Sequence, residues 1–345
     1  MSRSASPIVR PVSEDEGYNW MHRAFLQSFQ THSVLTTDEM KPILASIMSA
    51  HTDRAWSAAD ITQPHLSNTI QTINTKIESY DYEIRSTKDQ HTKESVWALV
   101  NNASDALTQF ATTFSAGELG FVRRVLDYMF DTNNTANRQV MAIKHTDASN
   151  LARGPRRGGR QSQINGTADE DSQAAAVADL GISISEADTV LDSLVSAAFF
   201  QKSKHGYFSL APRALMELRS YLKETYNEPA SAGDDGDEEI IRIRDCYGCQ
   251  AIVTYGIRCN NRECGVRWHD HCATIFYKDR RRREDKKCPS CGTECEGNVY
   301  VGERVETRAG RGSTGSGGGG GGGRRRMGQE EVEEEEEDAE EDEDE

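Results

Sequence analysis

The chain has 345 residues, of which 36% are hydrophobic, and a formal net charge of -16. Fourteen acidic residues between Glu330 and Glu345 carry nearly all of that charge, so the rest sits near -2 (-16 plus 14), and the pI of 5.1 describes a tail more than a folded body. No run of eighteen apolar residues occurs, which excludes a membrane-spanning helix on length, and the opening MSRSASPIVRPVSEDEG lacks the apolar stretch of a secretory signal.

Residues 1–17 read as a flexible N-terminus, and order is expected to begin at Tyr18-Asn19-Trp20, where Phe25, Leu26 and Phe29 recur at helical spacing. Met40, Ile43, Leu44, Ile47 and Met48 mark a second amphipathic helix. Thr36 and Glu39 have the form of a capping box, but Pro42 would then fall in the second turn, so a start at Lys41 competes with a start at Thr36. A third helix carries Leu66, Ile70, Ile73 and Ile77. Tyr80, Tyr82 and Ile84 alternate as in a strand, a polar turn spans Ser86 to Glu94, and Val96 to Val100 form the return strand. Three helices and a hairpin are the order of a winged helix, with a generic helical bundle plus hairpin as the plainer reading.

The order repeats. Ser115 and Glu118 box a helix lined by Leu119, Val122, Leu126 and Met129. A polar insertion follows between His145 and Gln173, with Arg153, Arg156, Arg157 and Arg160 among glycines; such a loop is either simply solvated or a contact for nucleic-acid phosphates. Ser185 and Asp188 are expected to cap the next helix, carrying Ala187, Val190, Leu191, Leu194, Val195 and Ala198, before a short hairpin over Phe199 to Leu210. A closing helix with Pro212 in its first turn is expected to bury Leu215, Leu218 and Leu222 and to end near Tyr226. Leu66 to Lys76 holds one basic residue and Ser185 to Ala198 holds none, so both third-helix candidates favour protein packing over duplex reading.

All eight cysteines lie between Cys246 and Cys295, and seven of them with His269 read Cys-x2-Cys-x9-Cys-x4-Cys-x4-His-x2-Cys-x15-Cys-x2-Cys. Eight soft ligands in four pairs predict two structural zinc ions, each with a closed tetrahedral shell and no open position for substrate. In a cross-brace the first ion takes Cys246, Cys249, His269 and Cys272, and the second takes Cys259, Cys264, Cys288 and Cys291. His269 is preferred over His271 because it alone leaves two residues before Cys272, and Cys295 is a spare thiol with nothing nearby to mark a nucleophile.

Modules of this pattern are either histone-reading fingers or RING domains that dock a ubiquitin-conjugating enzyme. Lys286 stands where finger-type readers usually carry an aromatic residue, whereas Cys288-Pro289-Ser290-Cys291 has the proline of a RING. Ile252, Ile275, Phe276 and Pro289 are the candidate docking residues for the conjugating enzyme, and no catalytic nucleophile is expected. Gly292 occupies the place where active ligases often hold ubiquitin with an arginine.

The anchors Met21-His22-Arg23-Ala24-Phe25-Leu26-Gln27, Thr31-His32-Ser33-Val34-Leu35, Trp97-Ala98-Leu99-Val100-Asn101 and Leu222-Lys223-Glu224-Thr225-Tyr226 lie ahead of the zinc pattern. Together with Cys264-Gly265-Val266-Arg267-Trp268-His269-Asp270-His271-Cys272 they resemble the non-SMC element 1 family of the structural maintenance of chromosomes 5/6 complex, from about Asn19 to Cys291. Element order and resemblance agree on an α+β multidomain chain: winged helix 1 over 18–112, winged helix 2 over 113–227, a linker at 228–243 and a variant RING at 244–298. The x4 gap between Cys259 and Cys264, a flexible insertion at 145–180 and a glycine-rich and acidic tail at 299–345, expected from its composition to be disordered, depart from the family pattern. The resemblance further implies a nuclear, chromatin-associated ubiquitin ligase and assembly subunit in repair by homologous recombination. Its expected partners are a MAGE-type subunit, a kleisin and a conjugating enzyme, with DNA reached mainly through the complex. A non-enzymatic scaffold and, less well supported, a histone reader are the alternatives.

Overall fold

The computed structural model describes residues 17–102, 113–154, 181–228, 240–278 and 286–306. The N-terminal segment, most of the arginine-glycine insertion and the acidic tail lie outside those residues. Helix α1 (Trp20–Thr31) starts on Asn19, whose side chain accepts from the Met21 amide at 3.0 Å. Strand β1 (Leu35–Thr36) leads directly into α2 (Thr37–Thr52). Here the capping box decides the boundary. The Glu39 carboxylate accepts from the Thr36 amide at 2.7 Å and Thr36 Oγ1 accepts from the Glu39 amide at 3.2 Å, so the helix forms across Pro42 and forgoes one backbone bond.

Helix α3 (Gln63–Ile77) packs beneath a hairpin of β2 (Tyr82–Lys88) and β3 (Ser95–Asn101). Asn74 ties the two together, donating to the Ile84 carbonyl at 2.9 Å and accepting from its amide at 2.8 Å. Pairing continues to Lys88 opposite Ser95, beyond the turn expected from Ser86. The outermost rungs bury little, so they read as polar turn although their backbones are paired. Strand β1 joins the far side of β3, giving the order β1-β3-β2, and Phe25, Met40, Leu44, Leu66 and Ile73 fill the core below.

The second unit repeats this plan more closely than its sequence suggests. Helix α4 (Ala116–Asp127) is boxed by Ser115 and Glu118 as expected, then widens into a π-turn over Tyr128–Thr132. Strand β4 (Ile143–Lys144) follows, and helix α5 (His145–Leu151) then occupies ground expected to be insertion. Helix α5 is held by fully buried Ala148 and Ala152, small side chains that leave little trace in apolar periodicity. The Ile182 amide donates to the Ala152 carbonyl at 2.7 Å, so the chain outside the described residues leaves and returns at one point.

Helix α6 (Ile184–Ser196) is capped by Ser183 with Glu186, not by Ser185 with Asp188. Asp188 instead meets His145 Nε2 at 2.8 Å, a tertiary pairing that frees the earlier box to set the start. Strands β5 (Phe200–Lys202) and β6 (Tyr207–Leu210) complete a sheet of order β4-β6-β5, the counterpart of the first. The closing helix is broken at Leu218 into α7 (Pro212–Glu217) and α8 (Arg219–Tyr226). Met216 on α7 joins Ala98 and Val100 of β3, which is how the two units meet, while Leu218 and Leu222 are buried in the second core and Leu215 only partly so.

Short β7 (Asn227–Glu228) and β8 (Ile240–Ile241) pair across the linker and deliver the chain to the cysteine-rich module. Its sheet, in the order β10-β9-β11, comprises β9 (Gly256–Arg258), β10 (Arg267–Trp268) and β11 (Tyr300–Val301), with helix α9 (Asp270–Phe276) alongside. Strand β11 lies past the expected end at 298, in ground assigned to disordered tail. Val301 is fully buried, and Ile243, Ile252 and Val301 belong to the same apolar core as the second unit. Among the described residues, no helix is long and apolar enough to cross a membrane.

Candidate metal centre

Two tight knuckles present the first and last cysteine pairs. In one, the Gln250 amide donates to the Cys246 carbonyl at 2.9 Å; in the other, the Gly292 amide donates to the Cys288 carbonyl at 3.0 Å. The residue after each second cysteine is left-handed, Gln250 at φ 60° and Gly292 at φ 70°. Glycine adopts that conformation without cost, whereas glutamine gives up about 1 kcal/mol.

The remaining pairs come from the β9-to-β10 connection and from the start of α9. Cys246, Cys249, His269 and Cys272 converge, as do Cys259, Cys264, Cys288 and Cys291, with the ligand atoms of each set all within 4.8 Å of one another. A tetrahedral zinc ion with bonds of about 2.3 Å to sulfur needs sulfurs about 3.8 Å apart, and slightly less between sulfur and nitrogen. Cys249 Sγ lies 3.2 Å and Cys272 Sγ 3.9 Å from His269 Nδ1, Cys259 Sγ lies 3.5 Å from Cys291 Sγ, and Cys264 Sγ lies 3.6 Å from Cys288 Sγ. These spacings and this donor set fit two structural zinc ions. Burial pushes the Cys272 thiol up to about 11 and raises that of Cys259, a penalty that a bound dication reverses by holding both as thiolates.

His269 offers Nδ1 to the tetrad because its other nitrogen is occupied: Nε2 lies 3.1 Å from the Ile252 carbonyl and donates to it. His271 stacks parallel to His269 with ring centroids 5.3 Å apart and stays outside the tetrad. Cys295 is buried and belongs to neither set.

The Ile252 carbonyl has a second donor that sequence reasoning missed. Gln90, at the tip of the first unit's hairpin and 7% exposed, donates to it from Nε2 at 2.9 Å. Gln90 Oε1 meanwhile accepts from the Thr254 and Tyr255 amides at 3.0 and 2.8 Å. Beside it, the His91 ring lies 4.0 Å from Tyr255, whose ring also carries the Arg304 guanidinium at 4.1 Å. Arg304 forks onto Asp270, next to His269, at 3.0 and 2.9 Å. A glutamine in a polar turn carries no signal that it will be buried.

The candidate docking residues fare differently from one another. Ile252 is 2% exposed and packs against the second unit, so it is withdrawn from any docking surface. Its place in the sequence resembles an exposed loop position, but the neighbouring unit covers it. Ile275 is 69% exposed, Phe276 is half-buried against Trp268 and Tyr247, and Pro289 is exposed. Ile275 and Phe276 border a groove of about 550 Å³ whose opposite wall is Ser86, Thr87 and Lys88 of β2.

Residues 22–218 match the family model described as Nse1 non-SMC component of SMC5-6 complex, and residues 246–291 match the RING-like domain. The human non-structural maintenance of chromosomes element 1 homolog is 25% identical over 271 residues, covering 79% of this chain and 82% of the relative. The homolog from Xenopus tropicalis is 18% identical over 276 residues, covering 80% and 83% respectively. A chain in a solved structure of an Nse1-Nse3-Nse4 complex superposes with a TM-score of 0.58 at 17% identity, over 81% of this chain and 98% of that one, a likeness of fold.

Proposed function

We infer, since the chain belongs to the family of the Nse1 non-SMC component of the SMC5-6 complex, that it is an assembly subunit of that complex and its RING-type ubiquitin ligase. The two helical units are winged helices used for protein packing, with boundaries near 18–112 and 113–227, and the zinc module extends through 306 where the described fold ends beyond β11. The partners are a MAGE-type subunit and a kleisin, in keeping with the Nse1-Nse3-Nse4 assembly of the structural neighbour. The setting is nuclear chromatin under recombinational repair.

The observation that carries the ligase reading is the exposed Ile275 beside half-buried Phe276, on helix α9, which also carries the first-tetrad ligand Cys272. With Cys246, Cys249, His269, Cys272, Cys259, Cys264, Cys288 and Cys291 as closed shells, zinc has no vacant position for chemistry. Rate would come from positioning a charged conjugating enzyme on Ile275, Phe276 and Pro289. Autoubiquitination by the full chain with its MAGE-type partner tests this across a panel of conjugating enzymes. Conjugation is expected, with at least about a tenfold loss in Ile275→Ala and two zinc ions retained; no conjugation with any enzyme defeats the reading.

A non-enzymatic scaffold is the second reading, favoured by two observations. Gly292 offers no side chain to hold ubiquitin, and Ile252 is spent on the second unit's core. On that reading zinc-ligand substitution abolishes partner capture while Ile275→Ala leaves repair intact.

A further inference from the structure

Five arginines surround a recess of about 400 Å³ where the loop from Asp131 to Gln139 of the second unit faces the zinc module. Arg242 is neutralised there by Asp131 at 3.1 Å and Glu228 at 2.7 Å. Arg262 stands exposed at the rim and donates to the Asn137 side chain at 2.9 Å. Arg258 and Arg267 are different, at 8% and 3% exposure. Among the described residues neither meets a carboxylate. Arg258 donates to the Cys259 carbonyl at 3.4 Å, and Arg267 reaches the Met141 sulfur at 3.9 Å and the Arg242 carbonyl at 3.5 Å.

A guanidinium has five donors in a rigid fork and cannot shed its charge, so two of them buried side by side on long, neutral contacts call for a counter-anion. One is close by: the second tetrad with its ion carries four thiolates and one dication, a net charge of about -2. Its sulfurs are already committed to metal, however, and they offer weak acceptors in place of the oxygens that a guanidinium fork fits.

We propose that this arginine-lined recess between the second helical unit and the zinc module binds a phosphoryl dianion, as free phosphate or as the monoester of a phosphorylated side chain. The recess, about 400 Å³, has room for that group, and Arg258, Arg262 and Arg267 all line it. Arg262 at the rim supplies the first contact, and Arg258 and Arg267 close on the remaining oxygens.

The test is titration of the full-length, zinc-loaded protein with inorganic phosphate and, separately, with N-acetyl-O-phosphoserine amide, followed by phosphorus NMR and calorimetry. Saturable binding is expected, and a preference for the phosphoserine derivative identifies a side-chain monoester as the source while equal affinity identifies free phosphate. Arg267→Met is expected to weaken binding by about tenfold or more and rim substitution Arg262→Gln by about threefold, both with two zinc ions retained. Absence of saturation up to about 20 mM of either probe overturns the proposal, as does an Arg262→Gln protein that binds normally. Loss of the second zinc ion in Arg267→Met assigns the arginines to balancing thiolate charge and overturns it equally. Displacement of phosphate by a short DNA duplex overturns it in favour of a nucleic-acid contact.

Discussion

Replacing Gln90 by alanine removes a side chain whose oxygen and nitrogen serve four hydrogen bonds on the stretch from Ile252 to Tyr255. The Ile252 carbonyl keeps His269 as a donor, but the Thr254 and Tyr255 amides lose the side-chain oxygen that accepts from both in a buried setting. Each buried donor left unpaired costs about 1–3 kcal/mol, and water entering the vacated volume brings the pair toward the lower end, about 2 kcal/mol. That corresponds to roughly thirtyfold in the equilibrium for opening this loop. Hydrogen exchange followed by mass spectrometry on peptides spanning Cys249 to Arg258 measures it directly. The expected result is faster exchange at Thr254 and Tyr255, with that loop affected more than the core of the first unit. Gln90→Glu sharpens the test because it keeps the acceptor while replacing the donor with an oxygen facing the Ile252 carbonyl. Its amides at Thr254 and Tyr255 should remain protected while contact at Ile252 is lost. Unchanged exchange in Gln90→Ala would refute the claim that the hairpin tip supports the first zinc site.

Cys288→Ser should cost at least the second zinc ion and loosen the part of the module it holds, since each structural site contributes on the order of 10 kcal/mol; elemental analysis and the emission of buried Trp268 report both effects. Acidification should loosen the hairpin tip. Burial holds the His91 imidazole below its ordinary value against the pull of Asp89, Glu303 and Asp270, so the neutral ring is the one the fold accepts. Its contribution is fully present above about pH 6.5 and is lost as the unfolded chain gains the proton first on falling pH. Comparing thermal midpoints of the natural protein and His91→Phe across that range isolates the effect, because zinc release is common to both. A difference that does not grow with acidity would contradict it.

The parts legible in the sequence are those governed by local chemistry. Ser115 with Glu118 starts its helix where the spacing says it should, and Thr36 with Glu39 decides a boundary that Pro42 had left open. Within each knuckle, two intervening residues admit few geometries, so the paired cysteines stand together as their spacing requires; four ligands meet in each of two sets. Tertiary contacts account for the rest. Helix α5 was hidden because Ala148 and Ala152 are buried without large apolar side chains, and the cap at Ser183 prevailed because Asp188 was drawn to His145. Gln90 and Arg267 are polar residues buried between units, and nothing in their own neighbourhoods distinguishes them from solvated ones. Ile252 was misplaced for the same reason, since its cover comes from residues far earlier in the second unit as well as from its own neighbours.

The position of β11 bears on how the zinc module can move. Ahead of it, β8 is paired to β7 at the end of the second unit; beyond it, Glu306 meets Arg138, Tyr207 and Lys144 of that same unit. A body tethered at both its entrance and its exit has no free end to swing, unlike a domain hung from one linker. Reorientation would require release at two places at once, so this module is expected to travel with the second unit as a single lever. Ending the chain at 298 would cut one of the two tethers and take Val301 out of the shared core, producing a looser particle than the intact protein contains.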